Sequence, residues 1–250
     1  QVASESGDTP RRSSATDVLQ KLGGSAAAQD ALAQIANAEP MRSDAMTRLL
    51  GAIGPGLVPA IVARWEADSD ASARSRLEGL VAACGEPGRR ELRRVLGAAK
   101  DAPHLRVAAI RLLVLTGASE QASALEASLG DRHPDVRRAA FQALAAASTD
   151  RARDALVCGI ARADADSQMA LLEEVAALRQ EQSVPLLARL LLQVDQYIVA
   201  APVYLSIIAT LRRVGSDEAA MALMLVFDRT RWRAPYRALQ FRMAAASALR

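Results

Sequence analysis

Aromatic residues are scarce in this chain, at 3% of 250 residues, and β-branched residues are sparse as well. The side chains that pack best on a pleated sheet are therefore in short supply, which counts against a β-rich fold. Lysine is nearly absent: Lys21 and Lys100 are the only two, so 29 of the 31 basic residues are arginine. Arginine presents a planar fork suited to phosphate, but such an imbalance also accompanies the alanine-rich usage of a GC-rich genome. The two cysteines, Cys84 and Cys158, stand 74 residues apart with no CxxC spacing, which excludes a disulfide framework and a thiolate metal site. Gly-rich phosphate loops, GxSxG and HExxH are all missing. The longest uncharged stretch, 196–211, has 16 residues, short of the roughly 20 that a membrane-spanning helix needs. No secretory hydrophobic region is visible, and the cytoplasm is the expected compartment.

What the chain does have is hydrophobic material, 51% of the residues, with Ala, Leu and Arg recurring throughout, and this favours helices. Residues 1–16 are polar, Ser-rich and without apolar periodicity, and read as a flexible lead. The remainder, 17–250, repeats itself. Residues 104–117 align on 135–148 without a gap: Leu105 falls on Val136, Arg106 on Arg137, Ala109 on Ala140 and Leu113 on Leu144. Arg74 precedes Arg106 by 32 residues, and Arg42 lies one period earlier still. A second ladder, Asp68, Asp101, Asp131, Asp164, Asp195 and Asp228, has steps of 33, 30, 33, 31 and 33 residues. Gly54, Gly85 and Gly117 mark another turn in the same period, where glycine accepts the left-handed conformation that ends a helix. Two turns per period imply two helices per period.

The predicted architecture is all-α, an α-solenoid of about seven antiparallel helix pairs. The pairs are 25–37 with 41–53, 55–67 with 72–84, 87–99 with 104–116, 119–129 with 134–147, 151–162 with 166–179, 182–193 with 197–213, and 217–228 with 234–250. A short helix at 17–22 serves as a lid. Each helix carries one wide apolar stripe, such as Leu57, Ile61 and Trp65 with Val58 and Val62, and a lone pair cannot bury its own stripes. Pairs must stack.

At 130–148 the chain resembles the HEAT repeat, in particular the short bacterial type also seen in phycobilin-lyase-like proteins. Asp131 stands in the turn, Pro134 opens the second helix, and Val136, Arg137, Ala140 and Leu144 follow at helical spacing. The resemblance is fair at 68–84 and 101–117. After Asp164 and Asp195 the Arg of the pattern is replaced by Ala170 and Ala201. The resemblance implies an extended superhelix whose second helices line a concave surface, and it implies no reaction. With the motifs named above missing, the chain is expected to be no enzyme, without catalytic residue, cofactor or metal, and to serve as a scaffold for protein–protein interaction within a larger assembly. Related arrays also include DNA glycosylases and chromophore lyases. A nucleic-acid-binding protein with an Arg-rich surface, or a chromophore-handling subunit, is therefore the alternative. HEAT-fold di-iron hydroxylases use His-Glu pairs, and no such dipeptide occurs here.

The only histidines, His104 and His133, sit at equivalent helix starts a period apart and read as helix-start residues. The Asp ladder, with Arg74, Arg106 and Arg137 following, reads as a structural Asp–Arg ladder between repeats. Six of the eight aromatics (Tyr197, Tyr204, Phe227, Trp232, Tyr236 and Phe241) cluster near the C-terminal end, and 229–250 holds six Arg with no acidic residue. In 234–250, Tyr236, Leu239, Met243 and Ala246 form one stripe, with Phe241 and Ala245 off it. The predicted binding residues are Trp232, Arg231, Arg233, Tyr236, Leu239 and Met243. They imply a protein partner, possibly acidic, with self-association through the last repeat as a variant; nucleic acid is the less favoured partner, and no membrane span is expected.

Overall fold

The computed structural model describes residue 30 and residues 55–117, 122–147, 149–193, 201–228 and 235–249. The expected lead at 1–16, the lid at 17–22 and the first pair at 25–53 lie outside the described residues, apart from residue 30. Among the described residues the regular structure is entirely helical. A single 3₁₀ turn, Pro55–Leu57, leads into twelve α-helices. They are α1 (Val58–Ala67), α2 (Ala71–Ala83), α3 (Gly85–Ala98), α4 (Pro103–Leu115), α5 (Ala122–Ser128), α6 (Pro134–Ala147), α7 (Asp150–Arg162), α8 (Ala165–Ala177), α9 (Gln180–Gln193), α10 (Ala201–Val214), α11 (Asp217–Asp228) and α12 (Pro235–Ala248). The all-α expectation holds. Where the boundary is described, helix starts fall within three residues of those expected; the expected starts at 119, 197 and 234 lie outside the described residues. The boundaries follow local chemistry: Pro103 and Pro134 begin α4 and α6, where a missing N–H costs nothing. Gly85 and Gly117 take φ of 57° and 93°, as the turn reading required.

The described residues fall into two compact units, divided between 118 and 119. In the first, α1 packs on α2, α3 and α4, with α3 and α4 closely paired. Its core holds the whole expected stripe: Leu57, Val58, Ile61, Val62 and Trp65 are all buried. Trp65 is more than a space-filler. Its Nε1 donates to Glu78 Oε1 at 2.9 Å, and the Arg74 guanidinium lies 4.8 Å from its ring centroid, within cation–π range.

In the second unit each helix meets its sequence neighbour, and each from α5 to α10 also meets the helix two further along. The helices α5, α7, α9 and α11 form one layer; α6, α8, α10 and α12 form the other. A closer approach is made where Gly159 of α7 faces Leu129: an added Cβ would stand 3.1 Å from Leu129 Cβ and nearer still to its Cδ1. Glycine is needed there for space.

The turns within the pairs are closed by side chains. Asp70 accepts from the N–H groups of Ser72 and Ala73, Asp131 Oδ1 from His133 N–H at 2.8 Å, and Asp164 from both the N–H (2.9 Å) and the hydroxyl (2.7 Å) of Ser167. These bonds serve the donors left free at a helix start. Main-chain carbonyls at the preceding helix end (Trp65) or in the turn itself (Lys100, Asp131) are served by the residue the sequence pattern marked as Arg. Arg74 Nε donates to Trp65 O at 3.1 Å, Arg106 Nη2 to Lys100 O at 3.4 Å, and Arg137 Nη1 to Asp131 O at 2.8 Å.

These arginine bonds run to main-chain carbonyls in the turn or in the last turn of the helix before it, so the Arg positions act as local clasps. The next turn also retains the clasp: buried Gln168, 31 residues after Arg137, donates through Nε2 to Ile160 O at 3.0 Å and Ala161 O at 3.3 Å. Three ion pairs join neighbouring helix pairs in the second unit. Arg138–Glu174 (2.7 Å), Arg162–Glu126 (2.9 Å) and Arg189–Asp154 (2.6 Å) each join a helix to the one two along. Being exposed, each contributes little singly.

Three outcomes are expected from this packing. Trp65→Ala loses burial, the Glu78 bond and the Arg74 contact, and should lower the stability of the first unit by roughly 3–5 kcal/mol in urea unfolding; Trp65→Phe, which keeps most of the volume, should cost about 1–2 kcal/mol. Gly159→Ala should destabilise the second unit by about 1–3 kcal/mol through overpacking against Leu129. The bonds from the Ser167 main chain and hydroxyl hold the Asp164 carboxyl below the usual carboxylate range. Its contribution is therefore present above the ordinary aspartate pKa and is lost as pH falls through the lowered folded value. Asp164→Asn retains an acceptor but does not titrate, so its melting temperature should fall less steeply on acidification than that of the unsubstituted chain.

Candidate functional site

The second-unit helix α12 is amphipathic in an unusual sense: it is apolar on two opposite sides. Phe241 and Ala245, four residues apart, are fully buried. The Phe241 ring lies 4.3 Å, centroid to centroid, from that of Tyr204 on α10 at an interplanar angle of 35°. This is the side that α12 needs for folding. The other side carries Tyr236, Leu239 and Met243, exposed by 88%, 56% and 66%. Helical spacing of three and four residues aligns them with Ala246 along one face. Alanine there is exposed too.

Of the six binding residues expected, the structure brings together Tyr236, Leu239 and Met243. Trp232, Arg231 and Arg233 lie outside the described residues. The rim of the stripe is polar or basic: Gln240 and Ser247 are exposed, as is Arg237, and α12 contains no acidic residue. Arg242 donates through Nη2 to Phe227 O at 3.0 Å, tying α12 to α11.

The sequence reading missed a second apolar surface. On α11, Met221 and Met224 are each 59% exposed, and Phe227 is partly exposed. Met221 and Leu225 line a groove of about 770 Å³ against Val184, Pro185 and Ala188 of α9, with Glu181 and Glu218 at its edge. The signal was available, since α11 is apolar on more than one side (Met221, Ala222, Leu223, Met224, Leu225, Val226). Methionine is adaptable enough to line a groove without a fixed shape.

Several groups of kinds that carry chemistry elsewhere sit in defined local surroundings. Burial pushes the half-buried Cys84 thiol up, away from the reactive thiolate. Glu86 accepts from Arg89 and Arg93, and the Arg89 bond is the main reason its carboxyl is held below the usual range. His104 is exposed at the start of α4, and His133 precedes α6 and receives a hydrogen bond from Arg132 Nε. Among the described residues no three His, Cys, Asp or Glu side chains gather as metal ligands, and no helix is long and apolar enough to cross a membrane.

No protein-family model matches the chain, and no curated protein sequence does. Among solved structures it is similar to human deoxyhypusine hydroxylase in complex with glycerol, at 18% identity and a TM-score of 0.34, covering 93% of this chain and 96% of that one. That neighbour is an enzyme by name. It overturns the expectation, drawn from missing motifs, that this chain is no enzyme, and that exclusion is withdrawn. A likeness this distant transfers no reaction, substrate or residue role to this chain.

Proposed function

We propose that this chain is a HEAT-type scaffold for protein–protein interaction and that α12 is a docking element. The observation that carries the reading is the division of labour on that helix: Phe241 and Ala245 are fully buried, while Tyr236, Leu239 and Met243 stand in solvent on the other side. An exposed aromatic and two flexible apolar side chains in one line supply the kind of anchor that interface cores use. HEAT membership is supported by the repeat at Asp131, Pro134, Val136 and Arg137, and by helix pairs stacked in two layers in the second unit.

The distribution of arginine favours a protein partner over nucleic acid. Arg64, Arg89, Arg93, Arg94, Arg138, Arg153, Arg162 and Arg189 all lie within ion-pair distance of a carboxylate. Phosphate binding by counterion release wants cations that stand unneutralised along a surface.

Replacing Leu239 and Met243 together by Glu tests the docking role. Both side chains are more than half exposed, so the double variant should keep its helical circular dichroism and melt within a few degrees of the unsubstituted chain. Its association with proteins that co-elute with the native chain should be lost. Unfolding of the isolated double variant, or co-elution that persists unchanged, would count against α12 as the docking element.

A further inference from the structure

We infer that the groove between α9 and α11 receives a basic amphipathic helix of a partner protein. The groove is a surface separate from the exposed stripe of α12, so this reading stands apart from the docking role proposed above.

Shape argues for a helix. Val184 and Ala188 on α9, and Met221 and Leu225 on α11, are each four residues apart, and all four line the groove of about 770 Å³. Residues at that spacing stand one above the other on a helix, so each helix presents a straight apolar wall. The lining runs from Gln180 to Ala188 along α9 and from Glu218 to Leu225 along α11. At 1.5 Å per residue both walls are roughly 11 to 12 Å long, about two turns. A third helix lays its own apolar ridge into such a trough. Val184 and Ala222 give the groove a buried floor, while Met221, 59% exposed, stands in solvent and can adjust to entering side chains.

Charge argues that the helix is basic. Glu181 and Glu218 occupy the second positions of α9 and α11, and both line the groove, with Arg179 as the cation of the lining. In a stack of antiparallel pairs α9 and α11 run the same way, so the two carboxylates share one end of the groove. Asp217, next to Glu218, is exposed and adds a third. Among the described residues, none of the three has a cation within ion-pair distance. Glu126, Asp154 and Glu174 of the same unit each meet an Arg on a neighbouring helix instead. Set against the one guanidinium of Arg179, three carboxylates leave this end of the groove acidic. Pro185 adds an acceptor there: it lies inside α9 and has no N–H, so the Glu181 carbonyl four residues before it loses its helical donor. A Lys or Arg at one end of the partner's apolar ridge would meet these carboxylates and that carbonyl together. An acidic helix would oppose like charge with like.

The test uses the full chain and two labelled amphipathic helical peptides with the same Leu positions, one flanked by Lys and the other by Glu. Fluorescence anisotropy should show the Lys peptide bound about tenfold tighter than the Glu peptide at low salt, with the preference shrinking as salt rises. Glu181→Gln with Glu218→Gln should cut that preference to about threefold or less. Met221→Ser at its exposed position, and Ala188→Gln, which puts a longer side chain into the trough, should each weaken the Lys peptide by about fivefold or more with an unchanged melt. Leu239→Ser with Met243→Ser should leave its binding as it was, which separates the groove from α12. Equal binding of the two peptides, or a preference for the Glu peptide, would overturn the basic partner. Binding that survives both groove variants, or that is lost only in the α12 double variant, would overturn the groove as the site. If neither peptide binds, or if the groove variants abolish self-association of the chain in its place, the occupant is not a basic helix of a partner and the inference is wrong.

Discussion

Every helix in the second unit is obliged to have at least two neighbours, and the rest of the architecture depends on that obligation. A helix rich in Ala and Leu presents an apolar arc too wide for one partner, so pairing α5 with α6 leaves surface that only α7 and α8 can cover. Layers arise because the same requirement recurs about every 30 residues. Large aromatics are not required for this: the core of the unit is mainly Leu, Val, Ile and Ala, with Phe141, Tyr204 and Phe241 as its buried rings.

The turns are where the repeat is most economical. One residue in the first turn of the second helix satisfies carbonyls at the end of the first or in the turn itself, while an Asp satisfies the amides at the start of the second. Arginine reaches those carbonyls from a long stem, and Gln168 reaches them from a shorter one. Both give hydrogen-bond donors to orphan acceptors, which is why the pattern survives a change of residue and of charge. Charge is thus incidental to the clasp.

The fold was legible because its punctuation is local. Pro134, Asp164 and Gly117 act on their own backbone, so their spacing exposes the helix boundaries without knowledge of contacts. The Arg138–Glu174 and Arg189–Asp154 pairs were not legible, since they depend on the lateral register of helices two apart, which no local pattern encodes. Gln168 was overlooked for a related reason: the pattern was followed by residue type and not by the bond that the position must make. For the site, the period of α12 separated Tyr236, Leu239 and Met243 from Phe241 and Ala245, while the exposure of Met221 and Met224 required the packing of α11 against α9.

Within its unit, α12 packs against α10 and α11. In a one-dimensional stack, cooperativity passes between neighbours, and a helix that leaves apolar side chains exposed, as α12 leaves Tyr236, Leu239 and Met243, opens at less cost than one buried on all sides. Amide exchange should accordingly be graded, fastest in α12 and slower toward α7 and α8. A molecule that seats itself on Tyr236 and Leu239 would cover that surface and flatten the gradient, so occupancy at one face would be felt as added rigidity several helices away.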